Sequence, residues 1–342
     1  MMEVYEHDAS SSILQSALKA SLPYSIPLAY RTRHPNRTAD AHIMATFGTA
    51  ANSVPGCWAA AYFDRSMRPE TELWIFAAGE DPDHPGIEAF CARCTKAVLS
   101  LLDYMSTLPV PAIHPDNEFA LVLAEQHKTK HPLPGKDGTY PPTPSAYMRH
   151  LLQPKVVTLG ASHHAIVQIC RDAGIVRTEF PGSNAELNKF LFKLSGLPDT
   201  RELPKGLRWG KVREEDIKTV KARTSIPRSK RTLMSLKSLG VFDESDDAII
   251  AWAFVGLDGS LTTLHTEAQY RGRGIAKAVA VNIMKKYAPG SAVDEQGDAW
   301  SHADVYTDNV QSEMVCKSLG GNAMWKCFWL RIDLAIAGSL AS

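Results

Sequence analysis

The stretch "LTTLHTEAQYRGRGIAKAVAVNIMKK", residues 261–286, runs Arg271-Gly272-Arg273-Gly274 where a strand pattern gives way to a helix pattern. A strand, a glycine-bearing turn and a helix N-terminus together make an anion site. The first-turn N–H groups have no partner inside the helix, and the helix end carries about half a positive charge. Glycine admits an oxyanion that a Cβ would exclude. Three phosphate-binding loops compete for this reading, and spacing separates them. A Walker loop needs Lys–Ser/Thr after its second glycine, but Gly274 is followed by Ile275 and Ala276. A dinucleotide fingerprint needs a third glycine where Lys277 stands. Asp294 and Glu295 lie at the spacing of that fold's ribose carboxylate, but in the loop "GSAVDEQGD" rather than at a strand end.

The third loop fits. Gln269-Tyr270-Arg271-Gly272-Arg273-Gly274 reads Q-x-x-G-x-G. At a strand end and opening a helix, it resembles the acyl-coenzyme A pyrophosphate loop of the GNAT (Gcn5-related N-acetyltransferase) superfamily. The resemblance covers roughly 205–335. Downstream, in "DVYTDNVQSEMVCKSLGG", a strand leads to Asn309, Ser312 follows, and Gly320 closes a helix, like the superfamily's second signature. Asn309 also suits a plain helix N-cap, and both roles are compatible. More narrowly, "AWAFVGLDGSLTTLHTEAQYRGRG" and "SHADVYTDN" resemble the C-terminal half of glycine N-acyltransferase-like, FR47-like proteins, which place a divergent GNAT-like lobe before a catalytic one.

The resemblance implies an α/β fold with a mixed sheet: a C-terminal GNAT domain over 201–342 and a divergent GNAT-like lobe over 1–200 that walls the acceptor pocket. It implies acetyl-CoA or another acyl-CoA as co-substrate, touched by Leu264, His265, Thr266, Gln269, Arg271, Gly272, Arg273, Gly274, Ile275, Ala276, Asn309 and Ser312. The implied reaction is direct acyl transfer to a small amine or amino acid. The alternatives kept open are acyl-CoA use without an amine acceptor (hydrolysis, decarboxylation or O-acyl transfer) and a non-catalytic CoA-binding module.

An ammonium cannot attack a thioester, so a base must take its proton. His265, on the strand before the loop, titrates near neutrality and is the first candidate, with Asp304 or Tyr306 on the neighbouring strand to orient it. Unbroken alternation sets Thr263 and His265 on one face and Thr262, Leu264 and Thr266 on the other. The family's oxyanion donor would be the backbone N–H of His265 or Thr266. Two positions depart from the family. Cys316 stands where a proton-donating tyrosine is usual, either as donor, as nucleophile or as a plain helix residue. Ser260 stands where glycine N-acyltransferases carry a glutamate. Asp258 reads as a turn residue.

The bulk properties exclude other classes. A formal net charge of zero gives no electrostatic pull toward nucleic acid or an anionic membrane. The most apolar segment, "AIIAWAFVGL", is too short to span a bilayer. "MMEVYEHDASSSILQSALKA" lacks a secretory pattern, so a cytoplasmic address with free thiols is expected. Cys91 and Cys94 read as two cysteines on one helix turn, since no second pair follows at zinc-ribbon spacing. The adjacent pair His163-His164 is not a metal motif, and no metal is assigned.

Along the chain, "CWAAAYFD" and "ELWIFAAGE" read as a hairpin, followed by a helix from about Ile87 to Met105. Further helices are expected over 161–174 and near 184–195. The Gly- and Pro-rich "SGLPDTRELPKG" marks the domain border. Beyond it come a strand "LRWGKV", a helix, a second helix "RSKRTLMSLKSLG" ending at Gly240, and the hairpin "AIIAWAFVGL"–DGS–"LTTLHT". Then follow the helix to Lys286, stopped by Pro289 and Gly290, a strand, a helix and a final strand.

Overall fold

The computed structural model describes residues 2–84, 90–143, 145–224, 228–288 and 292–338. The chain divides into two compact units, Met1–Glu186 with Lys326–Ser342, and Leu187–Trp325. The division falls at 186/187 rather than near 200, and the last strand returns to the first unit.

The first unit is built on β1 (Tyr5–Glu6), α1 (Ser12–Ala20), α2 (Ile26–Arg33), β2 (His42–Ala45), β3 (Ala59–Phe63), β4 (Leu73–Ala77), α3 (Ala92–Thr107), α4 (Phe119–Lys130), β5 (Val156–His163) and α5 (His164–Asp172). The hairpin is present as expected, with Ala59 opposite Ala77 and Phe63 opposite Leu73. Alternating small and large residues let α3 lie close on one sheet face. Ala59, Ala61, Phe63, Leu73 and Ile75 meet Ala97, Val98, Leu101 and Met105 in one buried cluster. Where the sequence reading starts α3 at Ile87, the described helix starts at Ala92; residues 85–89 lie outside the described residues. The first three residues of the expected helix 161–174 end β5 instead, because the Leu159 side of that strand is buried in the same cluster.

The second unit contains β6 (Glu186–Lys193), β7 (Leu207–Gly210), α6 (Ile217–Ala222), α7 (Lys230–Ser235), β8 (Lys237–Asp243), β9 (Ile249–Val255), β10 (Leu261–Thr266), α8 (Ile275–Tyr287), β11 (Trp300–Tyr306) and α9 (Val310–Ser318). It ends in β12 (Asn322–Asp333), whose residues from Lys326 belong to the first unit, as does α10 (Leu334–Ala337). Strands β7 to β10 form one antiparallel sheet in the order β10-β9-β8-β7, and β11 pairs antiparallel with β6.

Two expected helices are corrected here. The segment near 184–195 is the strand β6. Its Phe190 and Phe192 enter an apolar cluster with α8 and α9, while Lys189 sits opposite Asp304 of β11. A cross-strand ion pair explains a lysine in so apolar a run. The helix read to Gly240 stops at Ser235, and Lys237–Asp243 is β8, hydrogen-bonded on both edges by β7 and β9. Pairing on two sides outweighs the helix propensity of "LMSLKSL".

Helix α8 carries Lys285 and Lys286 in its last turn, where cations oppose the helix dipole. Pro289 and Gly290 lie outside the described residues. No helix among the described residues is long and apolar enough to cross a membrane.

Candidate active site

The site grows from β10. Thr262 lies opposite Phe254, but His265 lies opposite Trp252, so Thr263 and Leu264 together face the single Ala253. This is a β-bulge. Thr263 takes φ 54° to make it, a conformation that costs a β-branched residue about 1–2 kcal/mol. The bulge resets the alternation. Thr262 and His265 now share the face of Phe254 and Trp252, which unbroken alternation would have kept apart, while Leu261 and Leu264 pack toward the α8–α9 cluster. On its face, His265 stacks on the buried Trp252, ring centroids 4.6 Å apart at 24°.

The carboxylate beside His265 belongs to neither candidate on β11. Glu267 Oε2 lies 3.7 Å from His265 Nε2, and Arg223 Nε donates to Glu267 Oε1 at 2.9 Å. Asp304 instead pairs with the buried Lys189 at 2.6 Å. Lys189 Nζ is also 3.2 Å from His302 Nδ1, and His302 Nε2 contacts the Asp258 carbonyl at 2.9 Å. Tyr306 ends β11 and is 43% exposed. Burial pulls the His265 pKa below its ordinary value, opposed by Glu267, so the ring stays neutral at neutral pH.

Ser260 and Asp258 are turn residues: the Ser260 hydroxyl donates to Asp258 Oδ1 at 2.7 Å, and both are buried. Ser260 also forms a parallel bridge with His302. Beyond that bridge β10 and β11 are edges of different sheets. Glu267 N–H donates to the Ile250 carbonyl of β9, and ladder alternation then turns the Thr266 N–H, not that of His265, away from β9. Among the described residues, three buried polar atoms of this strand make no hydrogen bond: Thr263 Oγ1, Thr266 Oγ1 on the other face from His265, and His265 Nε2, whose neighbour Glu267 stands 3.7 Å away. Buried orphans of this kind mark a place where a bound molecule can complete the bonding.

The strand runs into the glycine loop. Gly272 and Gly274 hold φ 74° and 79°, and a Cβ on either would meet nothing within 4 Å. Backbone conformation, not packing, therefore demands glycine there, and the space in front stays open. Gly274 is the N-cap of α8, so the N–H groups of Ile275, Ala276 and Lys277 face that space. Arg271 Nε donates to the Thr266 carbonyl at 3.0 Å, tying the loop to the bulged strand. Arg273 donates to the Gln269 carbonyl and lies over Tyr270. An open pocket of about 390 Å³ beside the loop is lined by Lys205, Asp243, Gln269, Tyr270 and Arg273 among others. This exposed, cationic, Cβ-free cradle fits a pyrophosphate.

The remaining sequence candidates separate. Asn309 caps α9, its Oδ1 accepting from Ser312 N–H at 3.1 Å. Cys316 lies buried in the apolar cluster with Phe190, Phe192, Met284 and Leu319. Burial, with Asp304 and Glu313 nearby, pushes its thiol up to about 12. It keeps its proton, which suits a donor or a core residue and not a nucleophile. Asp294 shapes its own loop by accepting from Gln296 N–H, Asp298 N–H and Trp300 Nε1. Sequence reasoning missed Glu267, although period two places it on the His265 side after the bulge, and Lys189, which was hidden in a segment read as helix.

Residues 1–190 match the N-terminal domain of the acyl-CoA N-acyltransferase verG, and residues 238–330 match the FR47-like protein family. Among solved structures, a Drosophila protein superposes with TM-score 0.58 at 12% identity, covering 97% of this chain and 99% of that one. A tandem GNAT protein from the clavulanic acid biosynthesis pathway gives TM-score 0.46 at 9% identity, covering 98% and 99%. A GCN5-related N-acetyltransferase from Sphaerobacter thermophilus gives 0.44 at 10% identity, covering 97% and 96%. A search of curated proteins finds no match. With one family model spanning more than half of its length and a second spanning the glycine loop, the chain belongs to the verG-type acyl-CoA N-acyltransferases, two-lobed proteins of the GNAT superfamily.

Proposed function

We propose that the protein transfers an acyl group, acetyl in the simplest case, from acyl-CoA to a small amine or amino acid by direct attack in a ternary complex. The observation that carries this reading is the bulged strand β10. It carries buried polar atoms that make no hydrogen bond among the described residues, and it runs directly into a positive-φ glycine loop at a helix N-terminus. Acyl-CoA would supply the activated thioester. Gly272, Gly274 and the first N–H groups of α8 would hold its pyrophosphate, with Arg271, Arg273 and Lys205 contributing charge. Asn309 and Ser312 would hold the α9 end of the cleft.

His265 takes the proton from the incoming ammonium, which its neutral ring can do near pH 7. Glu267, fixed by Arg223, stabilises the imidazolium that results. The Thr266 N–H is turned to donate to the carbonyl oxygen as it gains charge. The nitrogen's second proton passes to solvent as the C–S bond breaks, the leaving thiolate takes a proton from water or from Tyr306, which solvent reprotonates, and His265 returns its proton to solvent. The net release is one proton to solvent.

Free-thiol release from acetyl-CoA, measured with and without a panel of small amines, tests the reading. Amine-dependent release with the acylated amine detected by mass spectrometry is expected. Release at the same rate without any amine would make the protein a thioester hydrolase and overturn the proposal.

A further inference from the structure

Four metal-binding side chains meet in the first unit, and none serves the acyl-transfer reading. Cys57 precedes β3, His84 follows β4, Cys91 is the N-cap residue of α3, and Cys94 lies in its first turn. Packing brings these segments together. The β3–β4 register places Ala59 opposite Ala77, so both strand ends that lead to Cys57 and His84 lie side by side. Helix α3 lies on the same strands through Ala97, Val98 and Leu101.

Cys57 Sγ is 3.5 Å from Cys91 Sγ and 3.6 Å from His84 Nε2, and Cys94 Sγ is 3.4 Å from His84 Nε2. All four ligand atoms lie within 4.8 Å of one another. Around a tetrahedral Zn²⁺, with Zn–S about 2.3 Å and Zn–N about 2.0–2.1 Å, sulfurs sit about 3.8 Å apart and sulfur and nitrogen about 3.5 Å apart. The three separations just given agree within a few tenths of an ångström, and the remaining pairs lie within 4.8 Å.

We infer that Cys57, His84, Cys91 and Cys94 form a structural Zn²⁺ site that pins the start of α3 to the ends of the β3–β4 hairpin. Three thiolates and one imidazole suit zinc, and four protein ligands close the coordination shell, as structural sites do. A Cys57–Cys91 disulfide would have to shorten the sulfur separation to about 2.05 Å, and it would leave Cys94 and His84 without a role. Cys91 stands at the N-cap of α3, where the unpaired first-turn N–H groups favour an anionic sulfur ligand. Binding releases the protons of whichever thiols still carry them.

Full-length protein, made with zinc in the medium and without a metal-binding tag, is kept reduced and assayed for metal by mass spectrometry. One zinc per chain is expected. Cys57→Ser/Cys91→Ser should abolish it, and His84→Cys should retain it. Should the serine variant not fold, the wild type itself is stripped with a chelator. Its Tm should then fall by roughly 10 °C and return with added Zn²⁺, while added Co²⁺ should give the absorption of a tetrahedral thiolate complex. Metal-free wild type with a Tm indifferent to Zn²⁺ and chelator would overturn the site. So would zinc retained in the serine variant, or a Cys57–Cys91 disulfide found by peptide mapping.

Discussion

Replacing His265 with alanine is expected to lower the rate at saturating acyl-CoA and amine by about 10²–10⁴, the usual contribution of a positioned general base. Acyl-CoA binding should survive, because the proposed pyrophosphate site is the glycine loop and not the imidazole. The pH profile separates a base from a packing residue. Burial lowers the His265 pKa, so the wild-type rate should fall as pH drops through a value below 6.5. That acid limb should vanish in the alanine variant. Glu267 opposes the lowering, and Glu267→Gln should therefore move the limb to still lower pH. Full activity of His265→Ala between pH 6 and 9 would remove His265 from the mechanism.

The second large effect concerns stability. Lys189 is fully buried and pairs with Asp304, whose side chain is 4% exposed. Lys189→Met should cost about 3–5 kcal/mol, because it leaves a buried carboxylate without its cation. The double variant Lys189→Met/Asp304→Leu should recover most of that loss, since two apolar side chains can replace a buried ion pair. Urea unfolding of the wild type, the single and the double variant measures this, and equal losses in single and double variants would contradict it. A pH effect accompanies the same network. Burial, then the Lys189 ammonium, hold His302 neutral with a lowered pKa. The folded state thus binds fewer protons than the unfolded one below pH 6.5. The stability tied to a neutral His302 is complete above that pH and is lost as pH falls through the folded value.

Much of this was legible in the residues, and the rest was hidden for identifiable reasons. The glycine loop, its helix and Asn309 could be read because each rests on local chemistry: positive φ, unpaired first-turn N–H groups and a capping side chain. The DG turn announced the β9–β10 hairpin in the same way, and Gly259 holds φ 84° there. The strands β6 and β8 were hidden because ladder pairing outweighs their helical spacing, β6 with the distant β11 and β8 on both edges with β7 and β9. The bulge at Thr263 has no signature, since nothing in "LTTLHT" tells which threonine takes the left-handed conformation. It decides which residues share His265's face, so the orienting partner was sought on β11 while Glu267 stood two residues away. The Cys91–Cys94 pair looked incomplete because Cys57 and His84 join it only through the β3–β4 register and the packing of α3.

The central claim, acyl-CoA on the glycine loop, is tested most directly by calorimetric titration with acetyl-CoA and longer acyl-CoA forms. The titration is repeated on Gly272→Glu/Gly274→Glu. Each substitution forces a side chain into the left-handed region at about 1–2 kcal/mol and sets a carboxylate against the pyrophosphate. Micromolar binding by the wild type and at least roughly 100-fold weaker binding by the variant are expected, since about 2.7 kcal/mol suffices for that factor. Equal affinity in both proteins, or no binding of any acyl-CoA by the wild type, would contradict the account.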